Sequence, residues 1–180
     1  MIDAADLILH PTRIRIVHAL YDGRTLTTAQ LCAQMPDVSK ATMYRQVSLL
    51  ADGGILEVAE EQRVHGTLER SYRLYRARAV IDANAAAAMS QEDHRRGFTA
   101  AMAALLAEFN TYLDREHADP FADSVSYRQF TFWLNEDEFA ALIGEVSSAL
   151  SSRMNNRPAP GRTRYLLSTI LFPTEDPHRP

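Results

Sequence analysis

The sequence predicts an α+β, mainly helical fold, and three observations carry that expectation. Apolar residues recur at intervals of three and four in several stretches, among them Ile14–Val17–Leu20, Met43–Val47–Leu50 and Phe98–Met102–Leu105–Phe109–Tyr112. That spacing collects side chains on one face of a helix. Two short runs rich in β-branched and aromatic residues, 55–62 and 68–75, flank His65-Gly66-Thr67 and read as a hairpin. Two further runs, 126–134 and 164–172, bracket a helical stretch and read as strands of a C-terminal strand–helix–strand unit. A chain of 180 residues can hold two small units, each with a core. They are expected at 1–76 and 77–180.

In order along the chain, Leu7, Ile8, Ile14, Val17 and Leu20 mark a first helix. Pro11 suits its first turn and Gly23 stops it. Thr27 or Thr28 caps a short second helix, with Leu31 and Cys32 inward and Met35 ahead of Pro36. After a tight turn over 36–38, Ser39 caps a third helix, 39–52, which ends at Gly53-Gly54. The hairpin 55–75 follows. Residues 77–89 (ARAVIDANAAAAM) are alanine-rich and favour helix. Ser90 with Asp93 resembles a capping box and opens a long helix to about residue 117. Its stripe Phe98, Met102, Leu105, Phe109 and Tyr112 has the seam spacing of helices packed side by side, and is expected to hold a dimer. Asn135 with Glu138 caps a last helix through about 153, with Phe139, Leu142, Ile143, Val146 and Leu150 on one face. NNRPAPGR reads as a loop and PTEDPHRP as a frayed end.

Composition narrows the function classes. The formal net charge is −4, unevenly spread: residues 1–80 hold ten Lys+Arg against nine Asp+Glu, residues 81–180 nine against fourteen. The slight surplus in the first half does not by itself point to a polyanion. Cys32 is the only cysteine, which excludes an internal disulfide, cannot build a soft-metal site and suits a reducing cytoplasm. No apolar run is long enough to span a membrane, and MIDAADLILHPTR lacks the features of a secretory signal, so a cytoplasmic protein is expected. There is no phosphate-cradling glycine loop and no nucleophile elbow, so the chain is not expected to be an enzyme. Glu136-Asp137-Glu138 is the favourable charge of a helix N-terminus. Neither Glu92-Asp93-His94 nor Glu116-His117 gives a paired-ligand spacing, and no metal or cofactor is expected.

The informative stretch is VSKATMYRQVSLLADGGIL, residues 38–56. On a helix Met43, Val47 and Leu50 gather on one side, and Arg45 points nearly opposite, flanked by Ala41, Thr42 and Ser48, with Lys40 and Tyr44 on the shoulders. Small and hydrogen-bonding residues near the N-terminus let such a helix enter a major groove. Its free N–H groups and capping serine can meet phosphate, and an arginine can read guanine. A preceding short helix and tight turn hold it as in a helix-turn-helix. The hairpin can follow the adjacent backbone or minor groove with Arg63 and His65.

HPTRIRIVHAL, then LTTAQLCAQMPDVSKATMYRQVSLLADGGIL, then the hairpin ending in LERSYRLY, resembles the winged helix-turn-helix of ArsR/SmtB-type bacterial repressors over residues 7–76. The pattern V-S-x-x-T-x-x-R-x-V-x-x-L-x-x-x-G-I-L carries the likeness. The resemblance implies a homodimer that binds double-stranded DNA at a palindromic operator and represses. It implies base contacts from Lys40, Thr42, Tyr44 and Arg45, with Gln46 where such repressors often have a polar residue. With the cap and the wing, the expected DNA-binding set is Thr28, Ser39, Lys40, Thr42, Tyr44, Arg45, Gln46, Arg63 and His65. The paired cysteines of metal-sensing members are absent, and the appended C-terminal unit is similar to that of larger relatives. Two other readings stand beside this one: a winged helix used for protein contact, and a small-molecule-binding protein centred on residues 90–172. In a strand over 126–134, Phe130 and Phe132 would share one face, packed on the last helix, and Tyr127 and Trp133 the other. That second face either packs or lines a cavity for a small apolar effector.

Overall fold

The computed structural model describes residues 7–64, 67–80 and 83–175. Helix α1, Pro11–Leu20, starts with proline in its first turn and His10 as N-cap, the imidazole Nδ1 accepting from the Thr12 amide at 3.2 Å. A two-residue strand β1, Leu26–Thr27, leads into α2, Thr28–Gln34. Thr27 is the cap, in a reciprocal box: its hydroxyl accepts from Gln30 N at 3.2 Å and Gln30 Oε1 accepts from Thr27 N at 2.8 Å. Helix α3 spans Lys40–Asp52 behind its cap Ser39. Gly53 closes it, and Gly54 takes a left-handed φ of +71° that favours glycine. Strands β2, Leu56–Val64, and β3, Thr67–Leu74, form the hairpin. They pair antiparallel from Leu56↔Leu74 to Val64↔Thr67, with an irregularity between Val58 and Glu60. β1 adds to the free edge of β3 (Leu26↔Tyr72, Thr27↔Ser71), giving the order β1-β3-β2.

The core lies where α1, α2 and α3 meet the base of this sheet. Ile16, Leu20, Leu31, Met35, Met43, Val47, Leu50, Ile55 and Leu74 are buried together there. The expected helix over 77–89 is shorter, α4 at Ala83–Ala88. Residues 76–78 instead form a turn against the N-terminal unit, where Arg76 Nη2 donates to the Tyr21 carbonyl at 2.5 Å and stacks over the Tyr21 ring.

Helix α5, Gln91–Leu113, opens with the Ser90/Asp93 capping box and ends a turn before the expected limit. Its buried face is a line of small residues, Gly97, Ala100 and Ala104, laid against α1. A Cβ on Gly97 would sit 2.9 Å from Leu9 Cδ2. Helix α6, Glu136–Met154, carries the expected Asn135/Glu138 box, and none of its residues is buried.

The C-terminal expectation needs a correction. α6 forms, but 126–134 and 164–172 are not strands in the single chain. Among the described residues, 125–135 and 162–175 run without turn or bend and join no sheet. A strand exists only through its neighbour, and one copy supplies neither segment with one. Phe130 and Phe132 lie on each other, ring centroids 6.1 Å apart, and both remain exposed. The fold is α+β and mainly helical, with the sheet confined to the hairpin and β1.

Candidate nucleic-acid interface

Helix α3 is divided by its sequence into two faces. Met43, Gln46, Val47 and Leu50 are buried, while Lys40, Ala41, Tyr44, Arg45 and Ser48 face outward. Ser39 fixes where the helix begins. Its hydroxyl accepts from Thr42 N at 3.2 Å and donates to Thr42 Oγ1 at 2.9 Å. The first turn of α3 therefore begins at the surface, with Ser39, Lys40 and Ala41 exposed, a disposition suited to an anion. Among the described residues, no hydrogen bond or ion pair engages the side chains of Lys40, Arg45 or Arg63. Arg45 is felt only at a distance: burial, then the charges of Arg13 and Arg45, hold the His10 imidazole below the usual histidine range.

The wing behaves differently along its length. Near its base Arg73 pairs with Glu57 at 2.8 Å, and further out Arg70 pairs with Glu61 at 2.7 Å. Those cations are neutralised in place. Arg63, close to the tip, is not. His65 lies outside the described residues. A groove of about 510 Å3 separates α3 from the wing, lined among others by Thr28, Tyr44, Ser48, Leu68 and Tyr72.

Two of the expected contacts are corrected. Gln46 is 2 % exposed, on the core face of α3. It stands three residues after Met43 and one before Val47, so helical periodicity turns it inward. Thr28 is 7 % exposed, at the floor of the groove. Neither presents its side chain to solvent. Tyr44 does, at 57 %.

Sequence reasoning missed the residue that ties this helix to the rest of the molecule. Arg15, 2 % exposed on α1, sends Nη1 and Nη2 to the two carboxylate oxygens of Asp37 at 2.6 and 2.9 Å, and Nε to Glu108 Oε1 at 3.1 Å. Asp37 belongs to the turn that sets α3, and Glu108 to α5. Burial works against the Arg15 charge, but these carboxylates outweigh it, and the guanidinium in turn holds Asp37 below the usual carboxylate range. The only signal was a cation inside an otherwise apolar helix face.

The stripe on α5 is only partly as expected. Met102, Leu105, Phe109 and Tyr112 are half-buried and Phe98 is exposed, along with Leu106 and Leu113. The tightest packing of α5 instead uses the small residues facing α1. The Tyr112 hydroxyl donates to Asp123 at 2.8 Å, and Phe109 stacks on its ring. Tyr127 and Trp133 are almost fully exposed.

A family described as a helix-turn-helix domain matches residues 8–59, from just before α1 into β2. No curated protein matches the chain. The matched segment, followed by its hairpin, is a winged helix-turn-helix, and the match supports the DNA-binding, transcription-regulating class. No helix of the described residues is long and apolar enough to cross a membrane.

Proposed function

We propose that this chain is a cytoplasmic transcriptional repressor, an ArsR-like homodimer that reads a palindromic operator in double-stranded DNA. Helix α3 enters the major groove and the hairpin lies as a wing on the flanking backbone. The observation that carries the reading is the outward face of α3. Lys40, Tyr44 and Arg45 project from a helix whose start is pinned by Ser39 and Thr42, and among the described residues no carboxylate pairs with either cation. An arginine that no internal carboxylate holds is free for guanine O6 and N7, and Lys40, beside the helix start, for phosphate. Ser39 and Thr42 add hydroxyls for the backbone. Arg63 extends the contact to the wing. A two-fold dimer sets the two α3 helices about one DNA turn apart, roughly 34 Å. The stripe Phe98, Met102, Leu105, Phe109 and Tyr112 forms its seam. The protein is no enzyme on this reading, and any effector, a small apolar molecule, acts by changing the separation of the two α3 helices.

The test is a pair of substitutions measured on the operator and on a scrambled duplex. Arg45→Ala removes one bidentate base contact from each protomer, so it is expected to weaken operator binding by about 30-fold or more and to leave scrambled binding nearly unchanged. Arg63→Ala weakens both alike. Undiminished operator binding by the Arg45 variant contradicts the assignment of α3.

A further inference from the structure

The chain exposes 13,715 Å2, against about 8,800 Å2 for a compact monomer of 20.2 kDa. Much of the excess of roughly 5,000 Å2 belongs to one region. From 126 to 175 every residue is exposed except Leu142 and Leu150, which are half-buried. Phe130, Phe132, Trp133, Tyr165, Leu167 and Phe172 are among them. So many large apolar side chains gathered in one exposed stretch are unusual for a monomer in water.

The backbone is as unpartnered as the side chains. Residues 125–135 and 162–175 are free of turns and bends, and none of their amides bonds to another strand among the described residues. Unpaired donors and acceptors next to bulky apolar side chains are a template for strand addition. In a strand, Leu166, Ile170 and Phe172 would lie on one side and Tyr165, Leu167 and Leu171 on the other. Apolar residues on both sides belong to a strand covered on both faces. The segment is held where it is by polar anchors: Arg157 Nη1 donates to the Asp22 carbonyl at 2.5 Å and Arg164 Nη2 to the His18 carbonyl at 2.6 Å. Its apolar faces are left over.

We propose that residues 125–172 are a dimer arm. Segments 126–134 and 164–172 become strands by pairing with those of a second copy, and the two α6 helices cover the joint sheet through Phe139, Ile143 and Val146. The occupant is a second copy because a two-fold partner brings edges of the same length and the same apolar pattern. The surface is also continuous with the α5 seam, since the Phe172 ring meets Phe98, the exposed head of that seam, edge-on at 6.5 Å. The excess area is ample for a large obligate interface, which takes about 1,000–2,500 Å2 or more from each subunit. The inference rests on the homodimer reading above and adds where its stability resides.

The test is backbone hydrogen exchange of the full-length protein across a dilution series, with sedimentation giving the mass at each point. Trp133, the only tryptophan, reports on the arm by its emission. Expected is a dimer in which amides of 126–134 and 164–172 exchange at least about 100-fold slower than in free peptide, with Trp133 emission shifting to the red as the dimer dissociates. A dimer whose two segments exchange at free-peptide rates overturns the arm and leaves dimerisation through α5 standing. Protection in a species of monomer mass overturns the arm, since the segments then pair within one chain. A monomer at every concentration with both segments unprotected overturns arm and homodimer together.

Discussion

His18 shows how much one side chain can carry. It lies on α1 with its Nδ1 buried and without a hydrogen-bond partner, and its carbonyl accepts from Arg164. Burial is the main force holding its imidazole below the usual histidine range; Glu108 pulls it back up and Arg164 pushes it down again. The folded state therefore binds the proton more weakly than the unfolded chain, whose histidine titrates near 6.5. Stability from this group is full above that value and is lost as pH falls through the window below it. Denaturation midpoints at pH 7.5 and 5.5 are expected to fall further for the wild type than for His18→Gln, and parallel losses would contradict the assignment. This property was not legible in the sequence, where His18 is one polar residue in a helix. What makes it titrate low is first its burial in the folded core, and then the guanidinium of Arg164, 146 positions away, working against the pull of Glu108.

At the level of elements, α3 was legible nearly to the residue. Ser39 as cap, the Met43–Val47–Leu50 stripe and the Gly53-Gly54 stop are local features with local causes. The capping boxes of α5 and α6 were legible for the same reason. The way elements join was not. Arg15 links α1, the turn before α3 and α5 through one guanidinium, because its methylenes pack inside while Asp37 and Glu108 keep their carboxylates partly in solvent, side chains 50 % and 30 % exposed. That half-exposure decides the size of the effect. Removing one partner of a fully buried pair costs about 3–5 kcal/mol, but here the abandoned carboxylates can rehydrate. Arg15→Ala is expected to cost on the order of 1–3 kcal/mol, read as a lowered midpoint in chemical denaturation. It should also weaken operator binding while α3 itself stays helical by circular dichroism. A variant of wild-type stability would show that α5 and α1 are held by the Gly97, Ala100 and Ala104 contact alone. The failed strands belong to this scale as well. Aromatic, β-branched composition marks 126–134 and 164–172 as strand-like, but composition cannot say which chain provides the neighbour.

For the whole molecule, the two ends divide the work. Residues 7–75 bury a core and offer α3 outward; residues 126–175 bury none of their side chains. A net charge of −4 opposes DNA overall, so binding depends on a few cations placed at the contact. In the proposed dimer, Lys40 and Arg63 from each protomer neutralise about four phosphates, which predicts a slope of log affinity against log salt of about −3 to −4. The measurement that tests the central claim most directly is fluorescence anisotropy of the full-length protein with the duplex from upstream of its own coding region, against a scrambled duplex, over a salt series. Preferential binding to the upstream duplex, weakening roughly a hundredfold between 50 and 200 mM salt, is the predicted result. Equal, salt-insensitive binding to both duplexes would contradict a DNA-reading α3 and favour the winged helix as a surface for protein contact.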